Sequence, residues 1–217
     1  MRDDDIHRIV PLLREAVMAW QKPAVTEVAG HGDPFQVLVS CILSLRTQDH
    51  TTAAASKRLF SRADNPYAMQ SLPIEVIEQA IYPVGFYRTK AVQIHDISRQ
   101  IVENYGGKVP EEMDALLQFR GVGRKTANLV ISVGFGRLAI CVDVHVHRIC
   151  NRWGYVRTVT PEQTEMALRA KLPSEYWIEI NDLLVTFGQN QCCPVSPRCS
   201  TCCLTEFCDR NGVTRSR

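Results

Sequence analysis

The stretch FRGVGRKTANLV, residues 119–130, sets two glycines around a valine, then places Arg124, Lys125 and Thr126 at the start of an apolar, helix-compatible run. A nucleotide-cradling loop would need glycine immediately before Lys-Thr, and Arg124 occupies that place, so that chemistry is excluded. What remains is a glycine turn between two helices. Gly121 and Gly123 would let a DNA phosphate approach the backbone N–H groups, with Arg124 and Thr126 beside it. A lysine in a first helical turn, next to another cation, has its ammonium form disfavoured. Such an amine can attack a sugar carbon and form a Schiff base; a plain phosphate contact by Lys125 is the other reading. Further on, VDVHVHR contributes Asp143, a solitary carboxylate in an apolar run. Burying it is costly unless it has a task or a partner, and capping the following helix is one such task.

A second reactive group lies near the C-terminal end. Six of the nine cysteines fall in CCPVSPRCSTCCLTEFC, residues 192–208. Taking Cys192, Cys199, Cys202 and Cys208 gives the spacing C-x6-C-x2-C-x5-C. Four thiolates closing a short loop suit a tetrahedral metal or an iron–sulfur cubane, and without an export signal a disulfide framework is not expected. Zinc ribbons usually offer two separated C-x2-C pairs; this run offers one, which favours the cluster. The doublets Cys192-Cys193 and Cys202-Cys203 leave the register open. Cys41, Cys141 and Cys150 sit in apolar surroundings and read as buried small hydrophobes.

The elements that must position these groups read as helices throughout. Asp33-Pro34 caps and opens FQVLVSCILSL, and Asp49 is the expected cap of HTTAAASKRLFSRA. Pro73 opens IEVIEQAI, and YRTKAVQIHDISRQIVENY runs to a stop at Gly106-Gly107. Thr160 and Gln163 form a capping box around Pro161, and Ser174 is the expected cap of EYWIEINDLLVTF, which should stop at Gly188. No alternating strand pattern occurs, so an all-α fold is predicted. GFYRTKA and GVGRKTA share Gly-x-x-Arg-x-x-Ala, which makes Lys90 a rival to Lys125.

Composition bounds the partners. With 45% hydrophobic and 22% charged residues in 217, the balance is that of a soluble globular protein. No apolar run approaches the ~18 residues needed to span a bilayer. MRDDDIHRIV has no signal-type apolar core, so a cytoplasmic, nucleoid-associated protein is expected. The net charge of +2 decides little, but Arg120, Arg124, Lys125, Arg137, Arg148, Arg152 and Arg157 face one acid, Asp143, between residues 119 and 160. A basic segment on an otherwise acidic chain points to one face for a polyanion.

Together, FRGVGRKTANLVISVGFGRLAICVDVHVHRICNR and the cysteine tail resemble the endonuclease III family of DNA glycosylases, and DPFQVLVSCILS, VGFYRTKA and GGKVPEEMDALLQ extend the likeness over most of the chain. The resemblance implies a six-helix barrel at 26–136 carrying a helix-hairpin-helix at about 114–134. Residues 1–25 and 137–217 would form a 4Fe-4S domain held by Cys192, Cys199, Cys202 and Cys208, with a DNA-binding cleft between the two. It implies that Lys125 is the Schiff-base nucleophile and Asp143 the catalytic carboxylate of a bifunctional glycosylase and abasic-site lyase. Such an enzyme excises oxidised pyrimidines from duplex DNA as a monomer; relatives lacking the lysine are monofunctional mismatch glycosylases, the alternative reading. Arg46 and Phe86 stand where the family commonly has glutamine and leucine, and could fill the gap left by a flipped nucleotide. Arg148 supports the Asp143 neighbourhood or contacts phosphate, and Arg120 replaces a common proline.

Overall fold

The structure, a computed structural model, describes residues 1–20, 23, 25 and 33–217. Every regular element among the described residues is helical, and no strand occurs among them. In chain order the helices are α1 (Ile6–Val17), α2 (Pro34–Ser44), α3 (Asp49–Phe60), α4 (Pro66–Gln70), α5 (Ile74–Ile81), α6 (Tyr87–Tyr105), α7 (Met113–Leu116), α8 (Arg124–Leu129), α9 (Val144–Trp153), α10 (Pro161–Lys171) and α11 (Ile180–Asn190). The chain divides into two compact units, residues 24–139 and residues 1–23 with 140–217. The expected domain start at residue 26 lies outside the described residues.

In the 24–139 unit, α2 is the central element. The Asp33 carboxylate accepts from the N–H groups of Phe35 (2.8 Å) and Gln36 (3.0 Å), and Pro34 takes the first helical position, as predicted. Val37, Leu38, Val39, Ile42 and Leu43 are fully buried. A helix apolar on every side has to be enclosed by others: α3, α8 and a π-helical turn at Val130–Gly134 pack on α2, while α6 packs on α4 and α5. The cap of α3 is Gln48 rather than the expected Asp49. Asp49 becomes the first helical residue, where its charge still meets the positive end of the helix.

In the other unit, α1 packs on α11, and α9 packs on α10 and α11, around Ile6, Ile9, Leu13, Trp153 and Phe187. The capping box forms by half. Thr160 Oγ1 accepts from Gln163 N–H (3.3 Å), but Gln163 Oε1 takes the N–H of Val159 (2.9 Å), not that of Thr160. Ser174 opens only a 3-10 turn, Ser174–Tyr176, before α11 begins at Ile180. Nor does Gly188 stop α11, which runs on to Asn190. A Cβ at Gly188 would collide with the His145 ring and come 2.9 Å from Arg148 Nη2. This glycine exists for the close approach of α9 to α11.

Candidate nucleic-acid and catalytic site

The hairpin begins at α7 and turns where Val122 N–H donates to Phe119 O (3.0 Å). Gly121 sits at φ +77°, a conformation that a side chain makes costly, and Gly123 caps α8 in extended conformation. Val122 plugs into the core of its unit at 5% exposure, while Gly121 and Gly123 remain at the surface. On α6, Gln93 Nε2 steadies the turn by donating to Arg120 O (2.7 Å). Lys125 is exposed in the first turn of α8, and Arg124 is half-buried beside it. Thr126 is buried, so a phosphate contact there runs through its backbone rather than its hydroxyl. The Lys125 charge reaches α2: burial pushes the Cys41 thiol up to about 12, against a smaller downward pull from Lys125.

Lys90, the rival lysine, is 5% exposed. Its Nζ donates to Leu43 O (2.9 Å), Leu45 O (2.6 Å) and Thr47 Oγ1 (3.3 Å), which takes up all three donors of an ammonium. Burial lowers its pKa to about 8, the direction the sequence argument sought at Lys125, but an amine so enclosed has no access to a sugar.

Arg46 and Phe86 are brought together. Both are exposed, both sit at positive φ (+52° and +59°), and the Arg46 guanidinium lies 5.8 Å from the centre of the Phe86 ring. Phe86 is the cap residue of α6 and 64% exposed. A left-handed conformation costs a residue with a side chain about 1–2 kcal/mol. Two such residues within cation–π range of each other at the surface concentrate backbone strain at one place.

Asp143, in the other unit, is the cap of α9 and 8% exposed. Its Oδ1 accepts from His145 N–H (2.8 Å) and Val146 N–H (2.9 Å), so the carboxylate is oriented by the helix start. On the same helix, Arg148 Nη2 donates to Gly188 O (3.2 Å) and Cys192 O (2.9 Å) and lies 3.2 Å from His145 Nδ1. Burial lowers the Arg148 pKa, with the charges of Cys192 and Asp143 pulling the other way, and its hydrogen bonds tie α9 to the cysteine loop. One turn further, Arg152 is 8% exposed and donates to Cys193 O (2.7 Å), Pro194 O (2.7 Å) and Cys192 Sγ (3.4 Å). Sequence reasoning missed this clamp. Arginines at 148 and 152 on one helix face, ahead of a cysteine-rich tail, were the available signal.

Five of the six tail cysteines enter one another's electrostatics. Burial raises the Cys208 thiol, and Cys192 and Cys199 raise it further; burial raises Cys202 to about 11, with further upward pushes from Cys203, Cys192 and Cys208. By contrast, Cys193 Sγ turns to Gln189 O (3.6 Å), and Cys203 is exposed with Glu15 as its outside charge. The loop is also tied by Gln191 Nε2, which donates to Arg198 O (2.6 Å) and Thr201 Oγ1 (3.2 Å). Among the described residues, no three His, Cys, Asp or Glu side chains close to the spacing of a single metal ion. The basic segment between 119 and 160 is less available than its composition suggests. Arg137 pairs with Glu111 (2.9 Å) and Glu112 (3.6 Å), and Arg148 and Arg152 turn inward.

Residues 39–174 match the HhH-GPD superfamily of base excision DNA repair proteins, the class that this helical fold and glycine hairpin define. An endonuclease III of Thermotoga maritima is 48% identical over 177 residues, 82% of this chain and 83% of that protein. The endonuclease III of Bacillus subtilis is 39% identical over 188 residues, 86% of this chain and 85% of that one. A solved trapped endonuclease III–DNA covalent intermediate superposes with a TM-score of 0.84 at 32% identity, covering 97% of each chain. A non-covalent endonuclease III–DNA complex does so with 0.84 at 31%, covering 97% and 96%. The chain belongs to the endonuclease III family.

Proposed function

We propose that Lys125 is the Schiff-base nucleophile of this chain and Asp143 its catalytic carboxylate. The chain is a bifunctional base excision repair enzyme, a DNA glycosylase and abasic-site lyase whose partner is duplex DNA. The observation that carries the residue assignment is the contrast between two lysines. Lys125 stands exposed at the helix start behind the glycine hairpin, whereas Lys90 is enclosed with every donor engaged.

The chemistry follows from that placement. A damaged nucleotide must leave the stack before its sugar can be reached. The hairpin backbone at Gly121 and Gly123, with Arg124, holds the phosphate chain in register. The Lys125 amine attacks C1′, the C1′–N bond breaks, and the base leaves with that electron pair and takes up a proton. Asp143, oriented by two N–H groups, stabilises positive character at the sugar and assists removal of the amine proton. Opening of the sugar ring gives the imine. Loss of a 2′ proton then expels the 3′ phosphate and cuts the strand. Phe86 fills the vacated stack and Arg46 offers donors to the orphaned base, with oxidised pyrimidines as the substrate class.

The residues present also fit a 4Fe-4S cluster held by Cys192, Cys199, Cys202 and Cys208. Cys202 and Cys208 both feel the charge of Cys192, and Cys208 also that of Cys199, while Cys193 Sγ is turned to Gln189 O and Cys203 is exposed; a cubane sets its thiolates farther apart than a single ion does. When bound, the cluster supplies four iron–thiolate bonds that tie the 192–208 loop. We read the 24–139 unit as the barrel carrying the hairpin and the other as the cluster domain, working in the cytoplasm at the nucleoid. Among the described residues, no helix is long and apolar enough to cross a membrane.

Borohydride trapping on a duplex carrying one thymine glycol or one abasic site tests the assignment. A covalent adduct with the wild type and none with Lys125→Ala is the expected result. Base release without an adduct would establish the monofunctional alternative, and an adduct that survives in Lys125→Ala would move the nucleophile elsewhere.

A further inference from the structure

Arg46 and Phe86 belong to two separate turns, one after α2 and one before α6, and something must hold them together. At and just past the end of α2, the carbonyls of Leu43 and Leu45 need donors from outside the helix. Lys90 supplies them: its Nζ reaches Leu43 O and Leu45 O, immediately before Arg46, and Thr47 Oγ1, immediately after it. Thr47 Oγ1 in turn donates to Leu45 O (3.3 Å) and accepts from Gly85 N–H (3.2 Å), the residue before Phe86. A Cβ at Gly85 would stand 2.7 Å from Arg46 O, so the two turns touch backbone to backbone. Lys90 N–H donates to Phe86 O (3.0 Å), which puts the lysine one helical turn behind the phenylalanine. The turn of α6 that presents Phe86 thus sends its own lysine back under the loop that presents Arg46.

A buried ammonium is an expensive way to fill space, and a methionine of similar length would pack without that cost. All three of its side-chain acceptors belong to the single segment 43–47. We propose that Lys90 is a positioning residue for lesion recognition, fastening the 45–47 turn to the 85–86 turn so that Arg46 and Phe86 act as one stacked unit. The proposal rests on the reading of Arg46 and Phe86 as the groups that enter the helix gap. Lys90 touches no substrate in this scheme; it acts through the two turns.

The test uses the full-length, cluster-loaded protein and a duplex with a stable tetrahydrofuran abasic analogue, 2-aminopurine standing opposite it. Affinity is measured as the ratio of analogue-containing to undamaged duplex, and 2-aminopurine fluorescence reports stacking at the gap. Lys90→Met is expected to lower the ratio about tenfold and change the fluorescence of the complex, with undamaged-duplex affinity retained. In an Arg46→Ala/Phe86→Ala background it should cause no further loss, because coupled residues are non-additive. An equal further loss in that background would overturn the proposal, since Lys90 would then act independently of the pair, and so would an unchanged ratio for Lys90→Met. If the Arg46→Ala/Phe86→Ala variant itself binds the analogue as tightly as the wild type, the gap-filling reading fails first and the proposal falls with it. Should Lys90→Met not fold, Thr47→Val removes one acceptor from the same junction. A threefold drop in the ratio is expected there, and no drop would overturn the proposal.

Discussion

Replacing Arg152 by methionine tests how the cysteine loop is held. The side chain is 8% exposed, and its guanidinium donates to Cys193 O and Pro194 O at 2.7 Å each and to Cys192 Sγ at 3.4 Å. Hydrogen bonds from a charged donor contribute about 1.5–3 kcal/mol each, so the two short bonds set a ceiling near 3–6 kcal/mol. Two effects pull the expectation to the lower end. Methionine keeps the packing of the aliphatic stem, and the exposed Pro194 recovers water at its carbonyl. A loss of about 3 kcal/mol remains. For a chain of this size that corresponds to a melting temperature lower by about 6–12 °C. Thermal unfolding of the cluster-loaded protein, followed by far-UV dichroism and visible absorbance, measures both the fold and the loop. The exposed Arg157→Met is the control, expected within about 0.5 kcal/mol of the wild type. If Arg152→Met melts within about 2 °C of the wild type and keeps its absorbance as long, the bonds to the loop contribute no net stability and the clamp is refuted.

Further outcomes are expected. Asp143→Asn keeps an oxygen for the helix cap and should fold within about 1 kcal/mol of the wild type, yet lose about 10²–10⁴-fold in single-turnover base excision; full activity would remove Asp143 from the chemistry. Cys193→Ser and Cys203→Ser should retain iron after gel filtration, while serine at Cys192, Cys199, Cys202 or Cys208 should lose it, and any inversion of that pattern shifts the cysteine register. Gly188→Ala forces α9 and α11 apart at His145 and Arg148 and should cost about 1–3 kcal/mol in denaturant unfolding. Lys90 has a folded pKa of about 8 against 10.5 when unfolded, so the unfolded chain binds the extra proton between those values. Its contribution to stability must then rise with pH from about 8 to 10.5, by up to about 3 kcal/mol. The wild type should therefore gain unfolding free energy relative to Lys90→Met over that window, and a difference that stays constant would contradict the burial argument.

Much of the architecture is legible because it is local. The caps at Asp33 and Thr160, the stop of α6 at Gly106-Gly107 and the apolar run of α2 each depend on neighbours within one or two helical turns. Asp143 as a cap, and Lys125 at the start of α8 behind a glycine turn, are legible for the same reason. The misreadings are those that needed a distant partner. Gly188 looks like a stop by its type, but the helix continues because α9 approaches too closely for a side chain. The capping box at Thr160 misses its second bond because Gln163 finds Val159 instead.

The sequence alone determined that this chain is all-helical, that a hairpin presents Lys125, and that its cysteines gather near the C-terminal end, since spacing and residue type suffice for each. Only the tertiary structure separated the two lysines of the Gly-x-x-Arg-x-x-Ala echo. Burial and three acceptors some 45 residues away enclose Lys90, while Lys125 stands exposed at the start of α8. It likewise turned Arg148 and Arg152, two arginines of an apparent DNA-binding stripe, into ties for the cysteine loop. The physical reason is the same in each case. A charge or a thiol is defined by what surrounds it, and those surroundings come from parts of the chain that only folding brings near.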